Sequence, residues 1–382
     1  MIETPSSVRQ GPAAEVLRRA LNLPSEEDLE LARAAPEVLG LPEVRERWRL
    51  WQRRGIAAEL PSSLPVVTAG LSHALSLLAD LFAGEGTPVA VSNPFWGNYR
   101  QAFATRAGAA ILTAPAYVDG RYNPDFATQA LHEIPAGVPA LALLNIPSNP
   151  GGYSPTAEER QATLESLRAE AERRPLLVVC DDAYAGLVFE PEVPDRSPFW
   201  DLIGLHPNLT PVKVDGATKE FSFFGGRVGF LTFGLDPESA AARSLEGRLA
   251  SWIAGSVGSA SAASQVLLLQ ALRNEAIEAE VEAVRLLLAG RYRALRDALA
   301  PADPALLRVL PFNSGCFALV EIPEALGFDS EAARRHLLAR WETGLISLAP
   351  RYLRIAHCSV DAAALPELAS RLQQGIAELA RP

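Results

Sequence analysis

Val214-Asp215-Gly216-Ala217-Thr218-Lys219-Glu220-Phe221-Ser222-Phe223-Phe224-Gly225-Gly226-Arg227-Val228-Gly229-Phe230 is the stretch on which the reading of this chain turns. Two apolar runs flank it, and a lysine stands between them. The chain has 35 Lys plus Arg residues, and only Lys213 and Lys219 are lysines. A chain that uses arginine nearly everywhere has kept lysine here. An amine can shed its proton and attack a carbonyl, whereas a guanidinium stays protonated. Alone, Lys219 is as well read as a surface residue at a strand end. Its surroundings shift that reading.

Working outward, short apolar runs alternate with helical patterns. Runs at Val66-Val67, Val89–Val91, Ala110–Leu112, Ala140–Leu144, Leu176–Cys180, Pro211–Val214 and Val228–Phe233 predict seven strands. Continuous apolar runs imply a strand buried on both faces, so the expected fold class is α/β, with a mostly parallel sheet sandwiched by helices. Ser72 is expected to cap a helix through Leu75, Leu78 and Phe82, and Thr156 with Glu159 reads as a capping box. Ile277, Val281, Val284, Leu288, Tyr292 and Leu295 mark one face of a long helix. Beyond residue 300 the pattern becomes α+β, with strands near 316–322 and 353–356 and a last helix through Leu365 and Leu379. The N-terminal stretch reads as helical around Leu17, Leu21 and Leu23, then again from Val44 to Trp51. The expected division is a large domain at 49–285 and a small domain formed by both chain ends, 1–48 and 286–382.

Composition narrows the function. A net charge of −10 with no basic run argues against a nucleic-acid partner. The uncharged stretches 60–79 and 250–272 are broken by Ser and Gly, so they read as buried protein rather than membrane spans. No signal peptide is visible. Cys180, Cys316 and Cys358 form neither a disulfide framework nor a metal site, and the five histidines lack ligand spacing, so no metal is expected. A reducing cytoplasm follows as the expected location.

In a parallel sheet, ligands gather at the carboxyl ends of the strands. Polar residues cluster there: Thr68-Ala69-Gly70-Leu71-Ser72 after the first strand, Asn149 after the fourth, Asp181 and Tyr184 after the fifth, and Lys219 after the sixth. Each has a plainer meaning alone. Gly70 is a strand–helix turn, Asn149-Pro150 a turn signal, and Asp181-Asp182 a helix start.

Together, and in this order, they resemble a known family. Asn-Pro-Gly-Gly at 149–152, Asp-Asp-Ala-Tyr at 181–184, Thr-Lys at 218–219, Arg227 eight residues on, and Arg354 in Leu353-Arg354-Ile355-Ala356 are similar to the motifs of fold-type I pyridoxal-phosphate enzymes. The resemblance is to the class I/II aminotransferases and spans roughly residues 36 to 380. It implies pyridoxal 5'-phosphate as cofactor and a homodimer with small-molecule partners, an amino acid and a 2-oxo acid. It implies that Lys219 bonds covalently to the cofactor aldehyde and later carries a proton. Asp181 would pair with the pyridine nitrogen, and Asn149 and Tyr184 with the phenolic oxygen. Arg227, with Gly70, Leu71 and Ser72, would hold the phosphate. Trp96 would stack on the ring, against the plainer reading of core packing. Arg354, with Asn149, would bind the substrate carboxylate.

The departures are informative. The family usually places Ser three residues before the lysine; here stands Gly216. A Tyr that reaches the neighbouring subunit's phosphate is replaced by Ala35, and Gly11-Pro12 is the candidate for the family's Gly-x-Pro element. Dicarboxylate-specific members carry an extra Arg in the segment matching 251–265, which has no cation here. A neutral aliphatic or aromatic side chain is therefore the expected substrate preference. A lyase or decarboxylase on the same fold, for example a carbon–sulfur β-lyase, is the alternative. A cofactor-binding sensor fused to a DNA-binding module is the third reading, disfavoured because the chain opens almost directly on the fold.

Overall fold

The computed structural model describes residues 25–33 and 36–381. The helical reading around Leu17, Leu21 and Leu23, the Gly11-Pro12 element and Ala35 lie outside the described residues. Seven strands form one sheet: β1 (Val66–Thr68), β2 (Pro88–Asn93), β3 (Ala110–Pro115), then, beyond the small hairpin β4 (Tyr117–Val118) and β5 (Arg121–Tyr122), β6 (Ala140–Asn145), β7 (Leu176–Asp181), β8 (Leu209–Gly216) and β9 (Gly229–Phe233). Their order is β1-β9-β8-β7-β6-β2-β3. The pairs from β8 through to β3 are parallel. β9 runs antiparallel to both of its neighbours.

The apolar runs are explained by burial on both faces. Val89, Val91, Leu141, Leu143, Leu177, Val179, Val212 and Val214 point into one core. Their alternate neighbours Ala90, Ala142, Leu144, Leu176, Val178 and Cys180 point into the other. The period of two along each strand makes this unavoidable once helices cover both faces.

A second sheet has the order β10-β11-β13-β12, from β10 (Arg308–Val309), β11 (Ala318–Glu321), β12 (Ile346–Leu348) and β13 (Tyr352–Ile355). It is antiparallel throughout. Its core joins Leu295 and Leu299 of the long Ile277–Leu299 helix to Leu337, Leu372 and Ile376 of two later helices. The helix Pro42–Gln52 packs elsewhere than the sequence grouping of residues 1–48 with the C-terminal part anticipates. Val44 and Trp48 share a core with Val67 and Phe230 of the large sheet. The Trp48 ring stacks on Phe230 at 4.4 Å, and its Nε1 donates to Asp215 at 3.2 Å. An indole needs a partner for its N–H when buried, and the large sheet supplies one.

Thr156 accepts from the Glu159 backbone while Glu159 reaches back to the Thr156 N–H, so the capping box forms. Ser72 is not a cap. Gly70 holds that place at φ 84°, and Ser72 lies within the first turn of the Leu71–Phe82 helix. A Cβ at position 70 would sit 2.6 Å from the Arg227 Nη2. Left-handed backbone and this close approach both require glycine. Among the described residues no helix is long and apolar enough to cross a membrane.

Candidate active site

The parallel strands deliver their last residues to one edge of the sheet. Asn145 and Asp181 are paired in register at the ends of β6 and β7, and Asp181 is level with Val214 of β8. The chain then turns at Gly216 into the short helix Ala217–Glu220, which carries Lys219. A cavity opens there, lined by Leu71, Ser72, Trp96, Asn145, Asn149, Asp181, Ala183, Tyr184, Thr218, Lys219 and Arg227. Of the residues singled out from sequence, Gly70 and Arg354 are not on the cavity wall itself. Gly70 lies directly behind Arg227. Arg354 donates from Nη1 to Asn149 Oδ1 at 2.9 Å, so it joins the site through a lining residue.

Asp181 is 2 % exposed. Burial pushes its carboxyl up to about 6, against the opposing pull of the Tyr99 hydroxyl, the Ala183 N–H and Lys219. Tyr99 donates to Oδ2 at 2.6 Å and Ala183 N to Oδ1 at 3.1 Å. Burial also lowers the Lys219 ammonium pKa, aided by Arg227, so the neutral amine is more accessible than on a surface lysine. The Lys219 Nζ lies 5.7 Å from the Tyr184 ring centre and 4.8 Å from that of Phe224. Burial raises the Tyr184 hydroxyl, which therefore stays protonated. The other lysine, Lys213, is held in the interior by Asp215 at 2.7 Å and Gln52 at 2.9 Å.

Trp96 borders the cavity with its ring edge-on to Tyr99 at 5.8 Å. The Arg354 guanidinium sits 4.3 Å over the Phe317 ring, and its Nε is buried without a partner. A cation so placed is completed by an anion. Gly216 has a packing reason. A Cβ there would stand 2.6 Å from the Val228 carbonyl oxygen and 2.9 Å from Leu71, opposite Gly229. No serine fits. Thr218 instead lines the cavity with a buried hydroxyl that lacks a partner.

Tyr99 and Asn145 carry site contacts that sequence reading did not assign. Asn145 donates to the Asp181 carbonyl at 3.0 Å and accepts from the Asn149 N–H at 2.6 Å, tying two strand ends together. Its position at the end of a strand was the available signal. Tyr99 offered none beyond lying three residues after Trp96.

The residues present fit pyridoxal phosphate on their own geometry. A buried carboxylate lies in one cavity with a depressed lysine, an unpartnered hydroxyl, and an arginine at a helix start shaped by Gly70.

Comparison with known proteins agrees. The aspartate aminotransferase of Geobacillus stearothermophilus is 27% identical over 199 residues, 50% of this chain and 46% of that protein. The chain thus spans under half the length of this curated relative. Among solved structures, an aminotransferase from Anaerococcus prevotii superposes with a TM-score of 0.79 at 20% identity, covering 94% of this chain and 85% of that one. The alpha-aminoadipate aminotransferase LysN of Thermus thermophilus gives 0.74 at 23% identity, covering 98% and 89%. At these identities the superpositions establish the fold alone, a helix-flanked α/β architecture around a mostly parallel seven-stranded sheet. The sequence pattern of aminotransferase class I and II extends over residues 9–372, nearly the whole chain, and this protein belongs to that family.

Proposed function

We propose that the protein is a pyridoxal-phosphate-dependent aminotransferase that moves an amino group from an amino acid with a neutral side chain to a 2-oxo acid. The carrying observation is the shared cavity of Lys219 and Asp181, with the lysine pKa lowered by burial. When bound, the cofactor supplies an aldehyde that captures amines and a ring that accepts the electron pair left as Cα loses its proton. The roles of the chain's own groups follow. Arg227 and Ser72, with the free N–H groups that open the Leu71–Phe82 helix, hold the phosphate anion. Asp181, expensive to ionise in isolation, holds the cationic ring nitrogen and is stabilised by it. Tyr184 and Asn149 donate to the phenolic oxygen, and Trp96 covers the ring face. Thr218 takes the phosphate contact that Gly216 has no atom to make. Lys219 Nζ, neutral when freed, takes the Cα proton and returns it. Arg354 binds the substrate carboxylate, with its Nε available for the second bond.

The side-chain preference rests on charge. Among the described residues, the cations on the cavity wall are Lys219 and Arg227, and both are assigned. A second substrate carboxylate would be desolvated without a partner. The relative from Geobacillus stearothermophilus is named for aspartate and LysN for alpha-aminoadipate, so this preference sets the chain apart from both. A homodimer in the cytoplasm is part of the same reading. Its support is the family and the uncharged 250–272 stretch, where Trp252 and Val257 are exposed on the described chain.

The test mixes the holoenzyme with a panel of amino acids and follows the cofactor absorbance, then measures steady-state rates. Leucine, phenylalanine or alanine should exceed aspartate in kcat/KM by about tenfold or more, the cost of one poorly compensated charge. A clear excess for aspartate overturns the preference. Pyruvate and ammonia formed from cystathionine without an oxo-acid acceptor would overturn the transferase reading.

A further inference from the structure

Two cysteines far apart in sequence meet beside this cavity. Cys316 precedes β11 and Cys358 follows β13, two strands that are hydrogen-bonded neighbours. Their pairing carries on past the strand ends, where the Cys358 N–H donates to the Cys316 carbonyl at 3.5 Å. Cys358 packs against the cluster that holds Cys316, and Cys316 favours the Cys358 thiolate while keeping its own proton. This backbone bond and the shared packing bring the two side chains into one cluster. Cys316 is buried, 7 % exposed, while Cys358 is half-buried and reachable. Both pack with Tyr184 and Phe317 in one cluster. Phe317, next to Cys316, lies edge-on to Tyr184 at 5.7 Å and under the Arg354 guanidinium. Cys358 itself follows Arg354 by four residues, and Arg291 donates to its carbonyl. Cys358, as thiolate, is near enough to Lys219 to act on its charge.

We propose that Cys316 and Cys358 are a reversible oxidation site, closing to a disulfide on the wall of the active site and slowing the enzyme by moving Phe317 and Arg354. The oxidant is a low-molecular-weight disulfide. The Cys358 thiolate attacks it, forming a mixed disulfide and releasing one thiolate. Cys316 then loses its proton and attacks the Cys358 sulfur, and the second thiolate leaves. Counted from the Cys358 thiolate and the Cys316 thiol, the protein loses two electrons and one proton, and the oxidant leaves as one thiol and one thiolate. Transient disulfides of this kind suit a reducing compartment. The effect on rate rests on the aminotransferase reading; the cross-link does not. Cys180 is wholly buried in a different core and serves as an internal control.

The holoenzyme is equilibrated with oxidised and reduced glutathione at a series of ratios. Thiols are alkylated, peptides are mapped by mass, and the amino-donor half-reaction is timed. A peptide pair joining 316 to 358 should appear, with Cys180 still free. The half-reaction should slow several-fold, through KM more than kcat, and recover with dithiothreitol. Cys358→Ser and Cys316→Ser should each abolish both the cross-link and the redox response. A glutathione adduct persisting on Cys358 with Cys316 free overturns the proposal, as does a cross-link that leaves the rate unchanged. A cross-link in a protein inactive towards every donor supports the oxidation site and counts against the transferase reading.

Discussion

Lys219 favours the ionised form of Asp181, and a third residue adds to that pull. The Tyr99 hydroxyl, donating at 2.6 Å, favours the ionised carboxylate that burial opposes. Tyr99→Phe removes that bond and leaves the ring in place. The carboxyl then holds its proton to a higher pH than about 6. In the cofactor-free protein, the Asp181 carboxyl followed by infrared or NMR titration should lose its proton at a higher pH than in the parent. An unchanged titration would mean that Tyr99 is only packing. Lys219→Arg keeps the charge and removes the removable proton. It should lower the rate by about 100-fold or more. A pre-steady-state trace of the donor half-reaction would show this, and near-normal rates would remove Lys219 from the chemistry.

At the scale of elements, the sheet works because each strand ends where polar side chains are wanted. The helix that follows β6 has its own start signal. Thr156 and Glu159 close a capping box, and Glu159 also accepts from the Tyr153 hydroxyl at 2.6 Å. Thr156→Ala leaves one helix-start N–H unpaired. It should cost about 1 kcal/mol of stability and leave kcat unaltered. A urea midpoint and a steady-state rate measured side by side would check both halves. The capping box was legible because it is a matter of three-residue spacing. The Leu71–Phe82 helix was found with its cap misassigned to Ser72. The space between Gly70 and Arg227, which decides that cap, comes from a residue over 150 positions away.

For the molecule as a whole, buried carboxyls set an unusual pH response. Burial raises Asp181 to about 6, Glu220 to about 7 and Asp182 to about 8. Each folded value lies above the ordinary one, so the folded chain binds more protons than the unfolded chain between the two. The stability this contributes is fully present below pH 3.8 for Asp182 and is lost as pH rises to about 8. Asp182→Asn removes the penalty of burying charge. The variant should gain on the order of a few kcal/mol relative to the parent on moving from pH 5 to pH 8.5. Melting temperatures of cofactor-free protein at the two pH values would read this. An equal difference at both would show that Asp182 does not titrate on unfolding.

Local order was the part legible from residues alone. Apolar runs, strand-end polar residues and a lysine kept among arginines act over a few positions, so seven strands and the mostly parallel class followed from spacing and residue type, and Lys219 stood out as a candidate. Which distant groups touch was decided by packing. Tyr99 reaches Asp181 across 82 residues, Arg354 reaches Asn149 across 205, and Cys316 meets Cys358 only because β11 and β13 pair. The pattern of the Pro42–Gln52 helix does not name the core it covers, and the Trp48 indole finds its hydrogen-bond partner on the large sheet. Side-chain periodicity states that a face is buried; it does not state against what, and that choice is made by the free energy of the assembled core.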